Sequence, residues 1–174
     1  LHSFPTRRSS DLEIFNSFVE LLKSNKIVSL TVCIRNAAYF EYYKQSKEWQ
    51  EKKQWKMGDY PCWLWLSKHY DVHFMDKIVG VYRLLPESAS HSVNMNKLLD
   101  FYESNYQIQI FFANMYSVNS DYKKMLHDDY INDRIRVLCQ FGQYRAAINE
   151  TKLLGRKARL KSVLFVLLKS IKIK

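Results

Sequence analysis

The residues best placed to do chemistry cluster around Gly58-Asp59-Tyr60-Pro61, which leads into Trp63 and Trp65. Gly58 allows a turn and Pro61 suits the first turn of a helix, so Asp59 falls at or beside a helix N-terminus. A carboxylate there faces the positive end of the helix dipole, which favours the ionised form that a general base needs. The same position is also that of a helix cap, and one residue can fill both roles. Trp63 and Trp65 offer rings for ligand stacking or for a core. Two positions apart on a helix, they point in different directions, so at most one of them lines a site. Arg83 ends an expected strand ahead of a polar loop, where it would pair with a diphosphate, with a carboxylate, or in a structural ion pair. His91 lies in that loop. His69 and His73 are four apart, but the spacing crosses an expected helix end. Position 70 between them is Tyr rather than the Glu of a zinc protease, so they read as surface or packing residues. The sequence contains no Asp-x-Asp, no Gly-rich phosphate loop and no dinucleotide fingerprint.

The elements that must position these residues follow from the apolar pattern. Glu13 to Lys23 reads as a helix with Ile14, Phe18, Leu21 and Leu22 on one side. Ile27 to Ile34, IVSLTVCI, is β-branched and apolar, which predicts a buried strand. Asn36 caps a helix carrying Tyr39, Phe40 and Tyr43, continued by the charged, exposed KEWQEKKQWK. Short strands are expected at Val72 to Met75 and Lys77 to Leu84, then a polar loop. A helix follows from Asn94 through Tyr116, and shorter ones near Asp121 to Asp129, Asp133 to Phe141 and Tyr144 to Leu154. Gly142 and Gly155 punctuate the last of these.

In this order the elements resemble a known family. Lys56 to Ser92, KMGDYPCWLWLSKHYDVHFMDKIVGVYRLLPESASHS, is similar to the acceptor-side half of family 2 glycosyltransferases with the GT-A fold. In that family a turn with Gly-Asp or Glu-Asp opens a helix, followed by a strand, a strand ending in Tyr-Arg, and a Ser-rich loop. The matches here are Gly58-Asp59, the helix with Trp63 and Trp65, Val79 to Arg83, and Ser88, Ser90 and His91, with TVCIR upstream as the preceding strand. The resemblance implies inverting sugar transfer from a nucleotide-sugar donor to a glycan or lipid-linked acceptor. It makes Asp59 the catalytic base. Substrate binding falls to Trp63, to Arg83 near the diphosphate, and to His91 near metal or diphosphate. Leu84 and Leu85 depart from the pattern, since the family His lies closer to Tyr-Arg. A divalent metal, Mg or Mn, is implied in the full-length enzyme and held by an Asp-x-Asp. The nucleotide-binding half would then lie upstream, and this chain would retain neither metal nor activity.

The expected fold class is therefore α/β, α-rich: a truncated GT-A-like segment with few strands at 13–92, then an all-helical extension at 93–174. Residues 1–12, LHSFPTRRSSDL, resemble the in-frame translation of a sequencing adapter. They are expected to be a disordered artefact. Scarce Gly and Pro, four and three, alongside twelve Tyr and ten Phe favour a helix-rich globular chain over disorder or a β-sandwich. Cys33, Cys62 and Cys139 are far apart and odd in number, as expected of free, mostly buried thiols in a reducing compartment. The net charge of +10 is uneven: eight basic residues and no acidic one fall between Lys152 and Lys174. A near-neutral body with a basic tail points away from nucleic acid and toward an anionic partner for the tail. Leu160, Val163, Leu164, Leu167, Leu168 and Ile171 form one helical stripe in it. That pattern suits an anionic membrane surface contacted through 156–174, or a terminal helix docked on its own domain. No apolar run is long enough to cross a bilayer. The expected location is cytoplasmic and peripheral, at the inner membrane face. The alternative to an enzyme fragment is a non-enzymatic helical interaction or membrane-surface-binding module.

Overall fold

The computed structural model describes residues 18–75, 77, 80 and 92–171. The chain is helix-rich: α1 is Phe18–Lys23, α2 Asn36–Lys52, α3 Tyr60–His69, α4 Met95–Met115, α5 Ser120–Gln140, α6 Tyr144–Glu150 and α7 Arg156–Ile171. Single 3₁₀ turns lie at Ser29–Thr31 and Thr151–Leu153. The described residues belong to two compact units. One holds those up to Gln54 and those from Gly58 to Gly80; the other holds Trp55–Met57 and those from Ser92 onward.

In the first unit α1 and α2 both pack against α3. Leu21, Leu22, Tyr60, Leu64 and Trp65 are buried there. α1 ends at Lys23, so the carbonyls of its last turn lack partners within the helix. The Tyr60 hydroxyl supplies one, donating toward the oxygens of Leu21 at 2.7 Å and Leu22 at 3.0 Å. α2 turns Ala38, Tyr42 and Ser46 inward at a spacing of one helical turn, with the Tyr42 ring 5.7 Å from that of Trp65. Tyr39, Phe40 and Tyr43 lie on its exposed side.

The described residues contain no β-strand, which corrects the α/β expectation toward an α-rich chain. In place of a buried strand at Ile27 to Ile34, an exposed 3₁₀ turn at Ser29–Thr31 separates Val28 and Val32, both of which keep extended dihedral angles. β-branched residues set that extended geometry, but a strand also needs a neighbour to complete its hydrogen-bond ladder. Here the bonding closes locally. The Thr31 amide donates to the Val28 oxygen at 2.9 Å and the Thr31 hydroxyl donates to the same oxygen at 2.7 Å. Val72 to Met75 is also irregular rather than a strand, with Phe74 and Met75 exposed. Of Lys77 to Leu84, only Lys77 and Gly80 are among the described residues. At Gly80 the backbone runs close to the 3₁₀ turn: a Cβ placed there would meet Leu30 Cδ1 at 2.7 Å.

The second unit is built of α4 to α7. Asn94 opens α4 by accepting from the Lys97 amide at 3.1 Å, and Asn119 opens α5 by accepting from the Tyr122 amide at 2.8 Å. α5 is one helix where the sequence suggests two. No Gly or Pro interrupts Asp129 to Asp133, and Ile131 and Ile135 carry the buried stripe straight through. It stops at Gly142, whose φ of +71° is a left-handed conformation that strains any residue with a Cβ. Ile131, Ile135, Leu138, Cys139, Ala147, Leu154 and Val166 form the core. A half-buried ion pair, Arg134 to Glu150 at 2.7 Å, ties α5 to α6. Stacked rings of Tyr106 and Tyr130, 4.5 Å apart, and a Tyr130 hydroxyl bonded to Glu103 tie α4 to α5.

Candidate functional site

Asp59 stands immediately before α3, where Pro61 occupies the first helical turn. Its backbone is helical, with φ −86° and ψ −37°, and its carbonyl accepts from the Trp63 amide at 3.1 Å. Its side chain makes no capping hydrogen bond to the helix. The carboxylate Oδ2 instead accepts a hydrogen bond from the Ser29 hydroxyl, thirty residues earlier in the 3₁₀ turn. The carboxylate is partly exposed. It is held at the positive end of a ten-residue helix, fixed from one side by a hydroxyl, and not used to satisfy the helix's own amides. That arrangement suits a carboxylate that receives a proton from outside.

The Cys62 thiol near Asp59 is a poor nucleophile. Burial, and after it the negative charge of Asp59, push the Cys62 thiol up to about 12, so it stays protonated at neutral pH. Cys62 and Cys139 are buried and Cys33 is exposed, and all three thiols are free. His69 lies flat on Trp65, with ring centroids 4.0 Å apart and its Nδ1 2.8 Å from the Trp65 oxygen, so it serves packing.

The remaining residues singled out in the sequence fare differently. Trp63 is buried, and its indole N–H has no acceptor among the described residues. Trp65 is buried as well. A sugar stacks on an open ring face, and burial leaves Trp63 little of one. Arg83 and His91 lie outside the described residues. Ser29, which no motif marks, partners Asp59; its only signal in the sequence is a hydroxyl within a mostly apolar run that also carries Thr31. Among the described residues, no group of three or more His, Cys, Asp or Glu is placed to hold a metal ion. In the second unit a cavity of about 380 Å³ is lined by Leu98, Tyr102, Val137 and Phe141, and it brings no acid–base pair together. No protein-family model, no curated protein and no solved structure matches the chain.

Proposed function

We propose that this chain is the acceptor-side portion of an inverting family 2 glycosyltransferase, with Asp59 as the base that deprotonates the acceptor hydroxyl. The observation that carries the reading is the Asp59 carboxylate at the mouth of α3, bonded to Ser29 and leaving the helix amides alone. In inverting transfer the acceptor oxygen attacks the anomeric carbon as the bond to the nucleoside diphosphate breaks, and its proton goes to the carboxylate. Ser29 fixes the orientation of one carboxylate oxygen at the N-terminal end of α3, leaving the other for the acceptor. The exposed rings of Tyr39, Phe40 and Tyr43 on α2 suit contact with a nucleotide-binding half. The metal-holding Asp-x-Asp and most donor contacts belong to that half, with Arg83 and His91 assigned by the resemblance to the diphosphate side of this chain.

The test uses the protein with its upstream reading frame restored. It should transfer sugar with inversion, and Asp59→Asn should lower the rate by about 10²–10⁴-fold while folding is kept. The 174-residue chain by itself should turn over no nucleotide sugar. Full activity of Asp59→Asn, or turnover by the short chain, would overturn the proposal.

A further inference from the structure

α7 packs on the rest of its unit by a narrow face. Val166 enters the core cluster, and the Ser162 hydroxyl donates to Asn132 Oδ1 at 2.8 Å. The apolar stripe, read from the sequence as suiting either a membrane surface or docking on the domain, turns mostly away from the domain. Leu160, Leu164, Leu167, Leu168 and Ile171 are each 49 to 74 % exposed. By helical spacing these five occupy one side of α7, opposite Ser162 and Val166. Arg156, Lys157 and Lys161, all exposed, lie within or beside the stripe at its N-terminal end. The Lys169 ammonium lies 5.8 Å from the centre of the Phe165 ring, so its stem runs along apolar surface while its charge reaches water.

We propose that α7 is an interfacial anchor that lies flat on an anionic lipid surface, burying these five side chains among the acyl chains with its lysines and arginines against the headgroups. Charge selects the occupant. From Lys152 to Lys174 there are eight basic residues and no acidic one, so a negatively charged surface is attracted to this face. A second copy of the same face would bring like charges together, which disfavours self-pairing. No described helix is long and apolar enough to cross a membrane, so α7 lies on the bilayer rather than through it. This inference is independent of the sugar-transfer reading: it rests on α7 alone.

Co-sedimentation of the 174-residue chain with vesicles tests it. The chain should pellet with phosphatidylcholine–phosphatidylserine vesicles, much less with phosphatidylcholine alone, and progressively less as salt rises. The double variant Leu164→Ser/Leu168→Ser alters only exposed side chains and should weaken binding by about tenfold or more with an unchanged far-ultraviolet circular dichroism spectrum. Lys157→Gln and Lys161→Gln should each weaken it by about fivefold. Absence of binding, binding indifferent to salt and anionic lipid, or equal binding by the leucine variant would overturn the proposal. So would a leucine-dependent dimer that ignores lipid, because the stripe would then be an interface between copies.

Discussion

Asn94 and Asn119, in front of the two long helices of the second unit, hold the same position as Asp59 in front of α3 in the first. Both asparagines adopt extended dihedral angles and accept a bond from an amide of the first helical turn, at 3.1 and 2.8 Å. Asp59 already has helical dihedral angles, makes no such bond, and takes a hydroxyl from a distant turn instead. A cap works by meeting an amide that the helix leaves without a partner. Asparagine in the second unit does this, and aspartate in the first does not. The difference separates a residue retained for stability from one whose charge is left available, and it makes the cap and base readings of Asp59 distinguishable by experiment.

The largest expected effect belongs to the base role proposed for Asp59. Asp59→Asn preserves shape and removes the basic oxygen, so the two to four orders of magnitude in rate assigned to a base should be lost. Next is the alkaline stability of the unit around α3. Cys62 is held protonated up to about 12, while an unfolded thiol ionises near 8.5. The unfolded state therefore binds fewer protons above that value, and the stabilisation is full below about pH 8.5 and is lost as pH rises toward 12. The decline approaches about 1.4 kcal/mol per pH unit within this window. Denaturant midpoints across pH 8 to 11, roughly the window between those two values, should show a shallower fall in Cys62→Ala than in the parent. Asn119→Ala should then cost about 1 kcal/mol in urea unfolding, because the Tyr122 amide loses its acceptor. The smallest effect is the most discriminating: Asp59→Asn should change stability by less than about 0.5 kcal/mol, since it removes no cap.

What the sequence reveals of this follows a physical division. Gly58 and Pro61 mark the start of α3, Asn94 marks the start of α4, and both are local signals that need no tertiary knowledge. The extended preference of Ile27 to Ile34 is equally local, and it survives at Val28 and Val32, but a strand depends on a partner that propensity does not encode. α5 misleads because charged and polar residues between Asp128 and Asp133 look like a break, whereas an uninterrupted buried stripe overrides them. The Ser29–Asp59 pair spans thirty residues, and no spacing rule reaches that far. For α7 the periodicity correctly gives an amphipathic helix. Periodicity alone does not say which stripe meets the protein, and the structure buries Ser162 and Val166 while leaving the leucines outside.

In the proposed role Asp59 supplies a charge for chemistry and no bond to its helix. The decisive measurement is a paired one on Asp59→Asn in the protein with its upstream reading frame restored, recording transfer rate and urea midpoint on the same preparation. The rate should fall by about 10²–10⁴-fold while the midpoint matches the parent. A retained rate, or a midpoint that falls as far as that of Asn119→Ala, would contradict it.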